Sequence, residues 1–408
     1  MNPNPRALRA LTDSLDLFQN DLPTRPLLAH LDAAFFQSLL RMRDIDELLA
    51  DQGLRYPLFS MSRNGGRLAG SRYTYAAKTP GATTRDLADL RALRDQLAGG
   101  ATLILDHLHR TWRPLADFCR RLSHELSRPV GANAYLTPPA AQGFGIHYDT
   151  HGAFIVQVEG RKTWDLYEPL VTMPLEDQRW QEDMLSTADR DALREAGPTQ
   201  HLELVPGDVL WLPRGWLHDV FTTDEASLHL TIGIPEFSKH MLAAKALAAL
   251  AEDEEFRAEL PLDALTDSDR AGAEAEPVLK SFAAWLLAAD PAAVGRRATE
   301  LLDTVWYPAR SSPIAAALLT DEQISAARGV VTRREAVRGF GIAVDGKLQL
   351  RTVGGEIAVD APAAGFLGRL LEEDDATPVA VAEYLEGLGG DGSMLRSLLG
   401  EGVAELMW

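Results

Sequence analysis

The chain has 408 residues, 46% of them hydrophobic and 24% charged, with a formal net charge of −19 and a single cysteine, Cys119. This length predicts two or three domains rather than one core, and a lone cysteine excludes an intrachain disulfide and fits a reducing cytoplasm. No apolar run approaches the ~18–20 residues that cross a bilayer, so no membrane partner is expected.

Residues 1–18 have no continuous apolar segment of the kind that a secretion signal needs. The acidic balance repels nucleic acid and suits a basic protein or peptide, although acidity also serves plain solubility. Through residue 128 the texture is mixed. Short helices are expected at 33–40, 45–54 and 87–97, the last ended by Gly99-Gly100. A strand is expected at 101–105. A helix is expected at 114–126, with Leu115, Phe118, Leu122 and Leu126 on one face.

From 129 to 235 short strands alternate with Gly/Pro turns: GANAYLT, FGIHYDT, AFIVQVEG and KTWDLYEP. A polar helical insertion (177–194) follows, then HLELV, VLWLP, HDVFTT and SLHLTIGI. Many short antiparallel strands predict a barrel or jelly roll. Between Val156 and Leu166 the strands are expected to alternate, one set of side chains facing inward. Residues 236–319 are expected to be helical, with runs at 240–256 and 278–302 and the acidic residues 252–255 on a solvated face. The last segment, 320–408, reads as a small α+β unit. It has a hairpin at 340–360 turning at Asp345-Gly346, a helix capped by Thr377, and a returning strand in GVAELMW. Helices followed by a hairpin resemble a winged helix.

The chemistry is concentrated in FGIHYDT. Side chains two apart on a strand share a face, so His147 and Asp149 are able to bind one cation. His218, following the turn–strand–loop PGDVLWLPRGW, supplies a third ligand, and two histidines with one carboxylate leave coordination positions open. The alternative for a histidine is a hydrogen-bonded core residue. His151 is a rival ligand, but the strand is expected to bend at Gly152 and leave it on the substrate side. His229 and Thr231 are expected to face the site together. A mixed N/O triad with open positions favours Fe(II) and oxygen chemistry, and no H-E-x-x-H helix suggests a zinc hydrolase.

NAYLTPPAAQGFGIHYDTHGAFIVQVEGRKTWDLYEP and PGDVLWLPRGWLHDV resemble the JmjC-type cupin oxygenases, in particular their ribosomal oxygenase branch. The resemblance implies an α+β protein built on a double-stranded β-helix. An N-terminal mixed region (1–128) supports a catalytic barrel (129–235). A helical dimerisation domain (236–319) and a winged-helix-like C-terminal domain (320–408) follow. It implies iron(II) on His147, Asp149 and His218, with 2-oxoglutarate and O2 as cosubstrates. Lys162 falls on the family's 2-oxoglutarate lysine, where an ammonium pairs with the distal carboxylate. Asn133, Tyr135 and Thr231 fall on positions lining that pocket. The implied reaction is hydroxylation of a basic ribosomal protein by a cytoplasmic homodimer. Two other readings are the same chemistry on a peptide or small metabolite, and a DNA-binding regulator with a cupin sensor. The few clustered basic residues, Arg333, Arg334 and Arg338, beside the acidic residues 372–376, weaken the last.

Overall fold

Seven of the eight strands expected between residues 130 and 234 form, all but FGIHYDT, and they pair as two antiparallel sheets. The protein is seen in a computed structural model that describes residues 6–295, 298, 314–333, 336–342, 348–352, 355–372, 378–390 and 392–407. One sheet has eight strands in the order β1 (Leu27–His30), β11 (Asp208–Leu212), β8 (Gly152–Glu159), β13 (Ser227–Ile234), β7 (Gly131–Thr137), β6 (Thr102–Leu105), β2 (Phe59–Arg63) and β3 (Gly66–Arg67). The other has three, β10 (Gln200–Leu204), β9 (Lys162–Tyr167) and β12 (Leu217–Phe221), with β9 central. Their inner faces meet in an apolar cluster that joins Ala153, Ile155, Leu210 and Leu212 to Trp164, Leu166 and Leu204.

The outer face of the large sheet is covered as well. Phe154, Val156, Val158, Val209, Trp211, Leu228, Leu230 and Ile232 pack with N-terminal residues such as Phe36, Leu48, Leu115 and Phe118. Strand β8 is therefore buried on both sides, and seven of its eight residues are inaccessible. The side chains alternate in direction as expected, Val156 and Val158 outward and Gln157, Trp164 and Leu166 inward, but not in exposure, because neither face of β8 meets water. The N-terminal region also reaches into the sheet itself, contributing β1, β2, β3 and β6. A separate hairpin of β4 (Thr74–Thr79) and β5 (Ala82–Ala88) occupies the start of the helix expected at 87–97. That helix begins at Leu90, where the Asp89 carboxylate accepts from the Ala92 amide. At 45–54 the expected helix is a short turn, Asp44–Asp46, followed by a wide π turn, Glu47–Asp51. Helix Arg113–Leu126 buries Leu115, Phe118, Cys119 and Leu122, and its Glu125 accepts from the amides of Ala7 and Leu8.

The turn at Pro206-Gly207-Asp208 requires glycine. Gly207 has φ +99°, and a Cβ there would lie 2.7 Å from the Leu31 carbonyl.

A second compact unit spans Glu236–Tyr307. Its helices include Lys239–Ala248, Glu254–Arg257 and Ser268–Ala288. The first expected helix is broken within its acidic run, because the Asp253 side chain accepts from the Glu255 amide and starts a new helix there. In the second, Ala288 ends the helix and Pro291 opens another turn.

In the C-terminal region β14 (Gly329–Thr332) pairs with β18 (Ala404–Met407), so GVAELMW does return as a strand. β15 (Val337–Ile342), β16 (Leu348–Thr352) and β17 (Glu356–Ala358) make a separate meander. Helices Ala361–Glu372, Val381–Gly387 and Gly392–Gly400 share a core with these strands, including Leu350, Leu367, Tyr384 and Leu398. Arg334, the Asp345-Gly346 turn and residues 373–377, Thr377 among them, lie outside the described residues. Helix Val381–Gly387 starts after Ala380, because Val379 pairs with Val330 instead of joining the helix.

Candidate metal centre and the chamber behind it

Residues 144–150 do not form the regular strand expected of FGIHYDT. They run extended and make one bridge, in which the His147 amide donates to the His218 carbonyl at 3.2 Å and the His218 amide to the His147 carbonyl at 2.9 Å. Strand β8 starts at Gly152, where a bend was expected. Extended backbone still alternates its side chains. Ile146 and Tyr148 turn outward into a cluster with Tyr167, Leu185 and Leu217. Tyr148 also donates to the Gln178 carbonyl at 2.8 Å and packs edge-on to Trp180, so the polar insertion braces the loop from behind. His147 and Asp149 consequently face the opposite way, with His218. Gly215 completes the brace: its amide donates to the Asp149 carbonyl at 2.9 Å, its φ is +85°, and a Cβ would lie 2.5 Å from the Val171 carbonyl.

One ligand atom from each of His147, Asp149 and His218 lies within 4.8 Å of the others, and this is the one such group among the described residues. His151 stays outside it and leans over Gly233. The imidazoles are oriented by backbone carbonyls, which only accept. His147 Nδ1 therefore donates to Gly145 at 2.8 Å and His218 Nδ1 to Trp216 at 3.1 Å. This tautomer leaves both Nε2 lone pairs free for a cation. Burial is the main cause that pushes the His218 pKa down to about 4, so the ring is neutral, as a ligand must be. Burial alone would raise the Asp149 pKa, but the imidazoles of His151, His147 and His218 outweigh it and hold the carboxyl below its ordinary value. Two imidazoles presenting Nε2 and one carboxylate suit a divalent transition metal.

Behind the triad the barrel interior is polar. Lys162 is buried, and its Nζ donates to Thr137 Oγ1 at 2.8 Å, which in turn lies 3.1 Å from Thr102 Oγ1. Burial pulls its pKa down to about 7. Arg161, its neighbour, turns outward to Glu203 and Glu225. Asn133 and Tyr135 share the inner face of β7; Asn133 Oδ1 accepts from the His107 amide at 2.9 Å. Tyr135 stacks on His229 at 4.9 Å and 4°, and burial raises its pKa. Thr231 pairs with Asn133 rather than with the Lys162 level. The residue opposite Thr137 is Ser227, four positions away and about 13 Å along the strand at ~3.3 Å per residue.

The sequence reading missed Thr137, Gln157, Trp164 and Ser227. Gln157 is wholly buried and donates to Ser227 Oγ at 2.9 Å. The available signal was a polar residue at inward positions of otherwise apolar strands, which is usable only once the strand register is known.

Residues 107–242 match the family model described as "JmjC domain". The chain is 35% identical over 167 residues to "Bifunctional lysine-specific demethylase and histidyl-hydroxylase NO66" of Drosophila pseudoobscura pseudoobscura, covering 39% of this chain and 17% of that protein. It is 31% identical over 248 residues to human "Ribosomal oxygenase 1", covering 58% of this chain and 36% of that protein. The matched part spans well under half the length of these relatives. The solved structure of the Escherichia coli ribosomal oxygenase YcfD superposes with a TM-score of 0.52 at 15% identity, covering 97% of this chain and 98% of the other. A second structure of YcfD, in complex with cobalt and succinic acid, has the same TM-score at 17% identity. These likenesses establish a shared fold.

Proposed function

We propose that this protein is an iron(II)- and 2-oxoglutarate-dependent oxygenase that hydroxylates a side chain of a ribosomal protein. One observation carries the reading: the grouped His147, Asp149 and His218 are accompanied in the same fold by Lys162, whose buried ammonium bonds Thr137 and has no carboxylate partner among the described residues. His147, Asp149 and His218 would hold the iron, which supplies dioxygen activation coupled to decarboxylation of 2-oxoglutarate to succinate and carbon dioxide. One oxygen atom goes to succinate and the other to a substrate C–H bond. Lys162 binds the distal carboxylate of the cosubstrate, and its burial makes that pairing strong. Asn133, Tyr135 and Thr231 line the wall between lysine and metal and orient what lies there. The apolar rings of Trp164 and Tyr135 keep bulk water from the reacting centre.

The relatives named ribosomal oxygenase and the net charge of −19 both favour a basic ribosomal protein in the cytoplasm as the substrate. Helix Ser268–Ala288 supports a homodimer. None of its 21 residues is buried, and Val278, Leu279, Leu286 and Leu287 are exposed. The meander and helices after residue 320 support a winged-helix-like domain. Intact-mass analysis of ribosomal proteins from cells with and without the gene tests the substrate: one protein should lose a single oxygen when the gene is deleted. No mass change in any ribosomal protein, with succinate still formed from 2-oxoglutarate, would redirect the reading to another substrate.

A further inference from the structure

His229 is the third residue of β13, and the ammonium of Lys162 and the imidazole of His218 both influence its ring. It is 3% exposed, and its Nδ1 reaches neither solvent nor any partner among the described residues. Two other buried polar atoms nearby are in the same state. Trp164 Nε1 belongs to a ring edge-on to His229 at 5.5 Å, and Gln157 Oε1 belongs to the residue directly across β8. A histidine placed only for packing would be expected to satisfy its nitrogens, because an unmatched buried polar atom is costly. Stacking on Tyr135 fixes the plane of the ring, so its nitrogens reach partners only within that plane.

The geometry points to His229 as a second binding residue for the distal carboxylate of the cosubstrate, donating a neutral imidazole N–H beside the Lys162 ammonium. This rests on the proposed function. The charge pattern is matched to one carboxylate. A second cation beside Lys162 in a desolvated chamber would repel it, and burial together with that lysine keeps the imidazole uncharged. One cation supplies the charge and one neutral donor supplies direction. Trp164 Nε1–H is placed to add a third donor. A diacid with a 2-oxo group at the metal end fits both ends of this chamber, whereas a monoacid leaves the His229 end unmatched.

The test titrates 2-oxoglutarate and 2-oxobutyrate, which lacks the distal carboxylate, into full-length Mn(II)-loaded protein under nitrogen. Binding is followed by tryptophan fluorescence and calorimetry. His229→Phe keeps the stacked ring and removes the N–H; His229→Asn keeps a side-chain N–H. Wild type should bind the diacid. His229→Phe should bind it about 10- to 100-fold more weakly, His229→Asn should recover part of that loss, and the monoacid should bind wild type and variants alike. Mn(II) affinity should not change. Unaltered diacid binding by His229→Phe overturns the assignment and leaves an ordered water as the partner. Equal weakening of diacid and monoacid overturns it too, since that is damage to the chamber. If wild type binds neither acid, the proposed function itself fails.

Discussion

Replacing Lys162 by methionine should stabilise the cosubstrate-free protein while crippling its binding of 2-oxoglutarate. Burial lowers the Lys162 pKa from 10.5 to about 7, and at 1.36 kcal/mol per tenfold change in proton affinity this amounts to about 5 kcal/mol. The folded pKa lies below the unfolded one, so between pH 7 and 10.5 the unfolded chain holds the extra proton. Stability therefore rises with pH through that window, and below pH 7 the folded protein carries the whole cost of a buried charge. The same arithmetic gives a cost of about 5 kcal/mol at pH 6 and about 2 kcal/mol at pH 9. Methionine removes the charge at similar volume but loses the bond to Thr137, worth about 1 kcal/mol. The variant should gain about 4 kcal/mol at pH 6 and about 1 kcal/mol at pH 9. Urea denaturation of the metal-free protein at the two pH values measures both gains. Calorimetry with 2-oxoglutarate should show affinity falling at least 100-fold, because the carboxylate loses its buried cation at ~3–5 kcal/mol. A Lys162→Met protein that is no more stable than wild type at pH 6, or that binds 2-oxoglutarate normally, would refute the reasoning.

Three further outcomes are expected. His147→Ala, Asp149→Ala and His218→Ala should each abolish iron binding and succinate formation, and full succinate production by His218→Ala would exclude the triad. Tyr148→Ala should cost about 3–5 kcal/mol of stability by emptying the cluster behind the ligand loop. It should also weaken metal affinity, whereas Tyr148→Phe, which loses the hydroxyl's bonds to the Gln178 carbonyl and Met184 Sδ, should cost about 1 kcal/mol and keep the metal. Light scattering coupled to size exclusion should return a dimer at micromolar concentration, and a mass near 44.6 kDa would remove the helical dimer.

That His147 and Asp149 share a face was legible in the amino-acid sequence because it depends on local spacing. Residues two apart on extended backbone face one way, and this holds for His147 and Asp149 even though residues 144–150 form no regular strand. Likewise the Pro206-Gly207 turn and the loop through Gly215 carry glycines at positions where backbone contacts leave no room for a Cβ. The barrel strands were visible for the same reason, as short apolar runs between turn residues. What no local pattern contains is which strand lies against which. The three-stranded sheet on one side and the N-terminal cover on the other bury both faces of β8, so its side chains alternate in direction but not in exposure. The bracing of Tyr148 by Gln178 and Trp180 joins residues 30 or more apart through a polar insertion that carried no signal of its own. Thr231 and His229 both face inward by periodicity, yet only the register of β13 against β7 and β8 sets Thr231 at the level of Asn133 and His229 nearer the ammonium. The burial of Lys162, and with it the fall of its pKa to about 7, is a property of the closed barrel. An isolated strand would leave that ammonium in water, where its charge costs nothing.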